Sequence, residues 1–304
     1  MNARNDGRLS ATGLLGALLV ATVWGFNFTI VKIGLADIPP LFLLSLRFAL
    51  SAFPAMLFIR RPKAPLAALA AYGLLLGVGQ FGFLFTALKL GAPAGLSSVI
   101  LQSQAFFTAL LAAVFLKERI RITSVAGMAV AATGLAIVAG GGSLAGMTLP
   151  LVGMILAAAF FWSCANVLVR RLPGTGGLEL MVWSSVFPPI PLLALSLWLE
   201  GPESIRSALS HPTFAWLGSL VYIVAGASLI GYGIWNHLIL RHGAGKIAPF
   251  SLLVPVVGVS AAALVLGERF GARDAAAAAL VLVGLLMHVY GGRAIDAFRT
   301  KRAR

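Results

Sequence analysis

The stretch from Ala92 to Arg119 reads APAGLSSVILQSQAFFTALLAAVFLKER. It starts with Pro93 and small residues, runs apolar for roughly the 20 residues that cross a bilayer core, and ends in Lys117, Glu118 and Arg119. That pattern predicts a membrane-spanning helix with a cytoplasmic end. Inside it lie Ser97, Ser98, Gln102, Ser103 and Gln104, polar groups that lipid cannot hydrogen-bond and that must face protein, water or a ligand. A helix this polar belongs at the centre of a bundle.

The rest of the chain suits that setting. Of its 304 residues, 60% are hydrophobic and 11% charged, with a mean hydropathy of +0.97. Soluble domains carry roughly a quarter charged residues, so the chain reads as an all-α integral membrane protein. Its one cysteine, Cys164, lies in an apolar run, which predicts no disulfide framework and no metal cluster. Packing is the expected role of Cys164, and no cofactor is expected.

Ten apolar runs follow one another, at roughly 11–32, 38–59, 66–88, 93–116, 122–140, 149–169, 178–199, 213–239, 246–266 and 274–291. The first follows Arg4 and Arg8 but has no small-residue cleavage site and is long enough to span, so it is expected to be retained. With the N-terminus inside, the inner segments hold 17 of the 23 Lys and Arg residues, from Arg60, Arg61 and Lys63 to Arg293, Arg299, Lys301, Arg302 and Arg304. Lys32, Lys89, Arg206, Arg269 and Arg273 fall outside, and Arg47 lies within a span. The positive-inside rule accounts for this skew, so the net charge of +14 calls for no nucleic acid. Both termini are expected in the cytoplasm.

The chain also repeats itself. Trp24-Gly-Phe-Asn-Phe-Thr-Ile-Val-Lys32 lines up with Trp162-Ser-Cys-Ala-Asn-Val-Leu-Val-Arg170, and Phe115-Leu-Lys-Glu118-Arg119 with Val265-Leu-Gly-Glu268-Arg269. The two offsets differ by about a dozen residues, so loops or spans changed length between the copies. Copies at 1–145 and 146–304 each hold five spans, an odd number, so the second crosses the membrane in the opposite sense. Inverted halves are an architecture of secondary transporters, which seat the substrate near the midplane.

The tryptophan in the first span, the arginine early in the second, Ala94-Gly-Leu-Ser-Ser98 with Leu101-Gln-Ser-Gln-Ala-Phe-Phe-Thr108, and the twice-used Glu-Arg resemble the drug/metabolite transporter superfamily. The similarity, which covers essentially the whole chain, is to EamA-type exporters of amino acids and related metabolites, the YddG type among them. The resemblance implies a ten-helix basket in a bacterial inner membrane, with spans five and ten peripheral and the other eight around a central cavity. It implies a secondary transporter exporting amino acids, aromatic and other neutral ones included, by alternating access. A broad-specificity exporter of drugs or organic cations is the alternative on the same fold. The expected partners are a small-molecule substrate and lipid, with the chain acting as a monomer or homodimer. Arg47 has no basic counterpart in the seventh span, which offers Trp183, Ser184 and Ser185 instead.

Helical spacing nominates the cavity residues. Ser98, Gln102 and Phe106 share one face of the fourth span while Gln104 points elsewhere, towards an interhelical hydrogen bond. Gln80 and Phe83 share a face of the third span, where Gly73 and Gly77 permit close helix approach; Gln80 either binds ligand or bonds across helices. Tyr232, Trp235 and Asn236 share a face of the eighth, and Trp24 with Asn27 and Trp162 with Asn166 repeat an aromatic-plus-amide pair. For the aromatics, packing is the competing role. His237 and His288 read as structural rather than as proton relays.

Pro188 and Pro189 break the seventh span and Pro255 the ninth, as static kinks or as hinges. Arg47 sits too deep to reach the interface, with no mid-membrane Asp or Glu to answer it, which leaves backbone carbonyls, water or a substrate carboxylate. Anchoring to carbonyls is the expected arrangement. All 9 acidic residues fall in tails, loops or span ends, so the carboxylate relay of proton-driven carriers has no members and export down the substrate's own gradient is expected. An enzyme would need an HExxH motif or an acid/base pair, and a channel a charged ring or filter loop; the sequence offers neither.

Overall fold

The structure, a computed structural model, describes residues 11–140, 146–172 and 175–302. Arg4, Arg8, Arg304 and the expected junction at residue 145 lie outside the described residues, as do the side chains of Arg293, Arg299, Lys301 and Arg302.

Nine helices among the described residues are long and apolar enough to cross a membrane: Ala11–Gly34, Pro40–Leu57, Leu66–Lys89, Ala94–Leu116, Ile122–Ala139, Leu149–Val169, Phe214–His242, Pro249–Leu266 and Ala272–Gly291. A tenth span is formed by Gly177–Ser184 and Pro189–Leu199, bent by 48° at the proline break. Prolines open several of these helices, where a missing N–H costs nothing: Pro40, Pro150 and Pro189 stand in first turns. The fourth and ninth spans close alike. Lys117 (φ 56°) and Gly267 (φ 67°) turn left-handed, and Glu118 N and Glu268 N reach back to Ala112 O and Ala262 O.

Packing reveals the repeat. The first span lies on the ninth and the sixth on the fourth; the eighth lies on the first and the third on the sixth; the second meets the seventh and the fifth meets the tenth. Exchanging the two halves maps this pattern onto itself, as a twofold relation between five-span copies requires. Spans five and ten pair with each other at the edge of the bundle. The difference in repeat offset has a visible cause: a short amphipathic helix, Pro202–Ser210, is inserted between spans seven and eight and buries Ile205 and Ala208.

Two features escape the sequence pattern. Spans three and eight each contain a π-helical segment, Leu75–Phe81 and Tyr222–Ile230, at matching places in the two copies. Such segments rotate the following side chains relative to an α-helix and recur at functional sites. The third span also presses on the break in the seventh: a Cβ added at Gly77 would stand 2.5 Å from Pro188 Cβ.

We call the end of the bundle where Ala11 stands near, and that where Gly34 stands far. The far end is cross-tied between the halves. Glu200 caps the second span by accepting from Leu41 N at 2.8 Å and Phe42 N at 3.3 Å, and Glu268 caps the fourth by accepting from Ala94 N at 2.7 Å and Gly95 N at 3.1 Å. Thr213 Oγ1 donates to Asp37 at 2.6 Å, and Lys32 pairs with Glu268 at 2.9 Å. At the near end Arg170 pairs with Glu118 at 2.8 Å, both about half exposed, and Arg171 donates to Phe115 O.

Candidate functional site

Spans one and eight bring together three of the aromatic residues nominated by spacing. The Trp24 ring lies 5.4 Å from Tyr232 and 5.1 Å from Trp235, both tilted, at distances typical of aromatic pairs. Trp24 Nε1 donates to Ala227 O at 3.0 Å, inside the π-helical segment. This bond fixes the indole against the eighth span and leaves its face to the other two rings.

Amides stand beside the cluster. Asn27, one turn beyond Trp24, has its Oδ1 buried without a hydrogen-bond partner. Asn236, one residue past Trp235, has its Nδ2 in the same condition and packs against Gly177 at the start of the seventh span. Gln80 on the third span and Gln102 on the fourth are also buried, 4% and 7% exposed. Buried amides normally find partners, so Asn27 Oδ1 and Asn236 Nδ2 are groups that a polar ligand can satisfy.

Arg47 occupies the same level. Its Nη2 donates to Ser228 Oγ at 3.3 Å, one turn before Tyr232 on the eighth span. Its guanidinium carbon stands 3.8 Å from the Phe81 ring centre, with Phe48 at 5.4 Å and Phe85 at 6.0 Å. Nε and Nη1 have no partner. The expected anchoring to carbonyls is not what the structure shows: a hydroxyl and an aromatic face hold this charge instead. Ser228 and Phe81 carry no sequence signal of their own, because a serine among small residues and a phenylalanine among apolar ones are ordinary in a span.

Other nominated residues are committed elsewhere. Ser98 Oγ donates to Gly95 O at 2.6 Å and Pro255 O at 3.4 Å, joining spans four and nine. Asn166 Nδ2 donates to Gln104 Oε1 at 2.9 Å and Thr108 Oγ1 at 3.3 Å, so Gln104 makes an interhelical bond and Asn166 shares it. Phe83 stacks on Phe161 at 5.8 Å and is partly exposed. Trp162, the repeat partner of Trp24, is half-buried against the main core, and among the described residues no ring is stacked on it. At the breaks, Ser45 Oγ donates to Pro189 O at 2.9 Å and Pro188 wedges against Gly77.

Neither histidine reaches this seat. His237 is exposed, and His288 packs its ring on Phe106 at 5.3 Å, lining a near-end cavity of about 240 Å³ with Glu118, Arg121 and Arg170. No three His, Cys, Asp or Glu side chains converge on a metal position among the described residues.

The polarity of these groups suits a small, partly apolar molecule with hydrogen-bonding ends. Over 297 residues the chain is 43% identical to a "Probable amino-acid metabolite efflux pump" of Salmonella typhimurium, covering 96% of this chain and 97% of that one. A protein of the same description in Escherichia coli is 41% identical over the same shares. A "Probable terminal-alkyne amino-acid exporter" of Streptantibioticus cattleyicolor is 29% identical, covering 83% of this chain and 84% of that one. A crystal structure that covers 95% of this chain superposes with a TM-score of 0.59 at 21% identity, which supports the fold alone. The EamA-like transporter profile matches twice, over residues 11–140 and 149–290, one match for each five-span copy, and the chain belongs to the EamA-like transporter family.

Proposed function

We propose that this protein exports amino acids and amino-acid metabolites across the bacterial inner membrane by alternating access of its two halves. The observation that carries the reading is the seat of Trp24, Tyr232 and Trp235, flanked by the unpartnered amide atoms of Asn27 and Asn236. Rings take the apolar side chain of a substrate, and free amide groups take its polar end. Relatives named as amino-acid metabolite efflux pumps supply the substrate class.

The orientation follows from the basic residues: the near end, with Arg60, Arg61, Lys63, Lys117 and Arg119, faces the cytoplasm, as do both termini. In that orientation the cross-tied far end is the outer gate, and the looser near end admits cytoplasmic substrate. The junction of the two copies falls at residues 145 and 146. The seat lies within one chain, so a monomer suffices for transport. Organic cations are the poorer fit, because Arg47 stands in the seat and no described carboxylate accompanies it.

Counterflow in proteoliposomes tests the reading. Vesicles loaded with unlabelled L-phenylalanine should accumulate labelled L-phenylalanine or another neutral amino acid transiently, and Trp24→Leu should suppress the signal. Absence of counterflow across a panel of neutral amino acids and their metabolites, from well-folded protein, sinks the proposal.

A further inference from the structure

Arg47 is a cation inside a membrane protein without an anion to answer it. It is 3% exposed, and among the described residues no carboxylate pairs with it. Of its N–H donors, one at Nη2 reaches Ser228 Oγ, while Nε and Nη1 are buried with no acceptor. A buried charge left in this state is strongly destabilising unless something else completes it. Phe81 covers one face of the guanidinium and holds its plane, but an aromatic face takes no N–H from the edges.

We propose that Arg47 binds the carboxylate of the exported molecule, so that the seat selects a free carboxylate over the corresponding ester or amine. This rests on the exporter reading and adds the group by which substrate is chosen. Ser228 uses one of the two Nη2 protons. Whichever it takes, the other remains paired with either Nε or Nη1 as a two-donor edge, the geometry that matches a carboxylate. Ser228 and Tyr232 are four residues apart on the eighth span, about 6 Å along its axis, which is the scale of an amino acid laid from its carboxylate to its side chain. The Trp24, Tyr232 and Trp235 rings then receive the side chain. Asn27 Oδ1, an acceptor without a donor, suits the ammonium group.

The test compares L-phenylalanine, its methyl ester and phenethylamine by calorimetric binding to the full-length protein in detergent, with proteoliposome transport measured in parallel. The wild type should bind L-phenylalanine at least about tenfold more tightly than either analogue, the difference expected for a charge-assisted pair. Arg47→Gln should erase that preference while leaving phenethylamine binding unreduced, and Ser228→Ala, which keeps the charge, should retain it. Equal binding of the three by the wild type overturns the proposal even if Arg47→Gln does not fold. A preference that persists in Arg47→Gln, or binding of none of the three, also overturns it. A carboxylate preference without transport overturns the exporter reading and leaves this assignment standing; transport without the preference does the reverse.

Discussion

Lys32 Nζ lies 2.9 Å from Glu268 Oε1, and the same carboxylate accepts the backbone N–H groups of Ala94 and Gly95. One glutamate from the second copy thus joins the far end of the first span to the start of the fourth. Its counterpart in the repeat, Glu118, lies 2.8 Å from Arg170, and both side chains are about half exposed. Glu268→Ala should therefore lower stability by about 2–3 kcal/mol, since it orphans a partly buried Lys32 and two helix N–H groups. Glu118→Ala should cost less than about 0.5 kcal/mol, as exposed ion pairs do. Thermal unfolding of the two purified variants decides, and similar losses in both contradict the asymmetry.

Trp24 and Trp162 are equivalent in sequence and unlike in surroundings. Trp24→Leu removes an indole that two rings and Ala227 O hold in place, and should weaken substrate binding at least about tenfold while folded yield persists. Trp162→Leu should change binding less than about threefold. Reversal of that order in a binding assay shows that the seat has been assigned to the wrong copy.

Close approach of spans three and seven depends on a missing side chain. Gly77→Ala should lower stability by about 1–3 kcal/mol, because its methyl group would strike Pro188 and Phe48. Gly153→Ala, whose added Cβ meets nothing within 4 Å, should leave the melting temperature unchanged. Equal tolerance of both substitutions in denaturation curves means that spans three and seven are not in contact at that point.

Topology can be checked with thiol labelling in intact cells, once Cys164 has been replaced. A cysteine at Lys63 should be protected from an impermeant reagent and one at Glu203 should react, as the basic residues of the near end require. The opposite pattern inverts the assignment of gates.

Transport should need no proton gradient. The described acidic residues sit at span ends or in loops; even buried Asp274 accepts from Gly271 N at the start of the tenth span. A pH difference imposed at zero membrane potential should therefore give no accumulation above equilibrium. Uphill accumulation that a protonophore collapses contradicts this, and loss of it in His237→Gln would make that exposed histidine the carrier.

Spans, their order and their repeat were legible in the sequence because lipid enforces them. Every backbone polar group in a bilayer must bond within its own helix, so runs near 20 residues, their flanking charges and Pro188-Pro189 mark the structure directly. The repeat was legible for a similar reason: Trp24 to Lys32 and Trp162 to Arg170 kept their spacing along single helices. The inserted helix Pro202–Ser210 blurred the later matches without hiding them.

Helical spacing also grouped Tyr232 with Trp235 on one face of the eighth span, and the structure sets the Trp24 ring of the first span against both. Spacing could not tell Asn27 from Asn166 or Ser98 from Ser228. One member of each pair meets a hydrogen-bond partner on another helix, and the other is left open or receives a charge. Sequence alone determined the spans, their repetition and the residue types available to a ligand, since these follow from the bilayer and from periodicity within one helix. Tertiary structure alone decided which polar groups are already bonded and that Arg47 meets Phe81 and Ser228, since a side chain's partners depend on how separate helices rotate and approach one another.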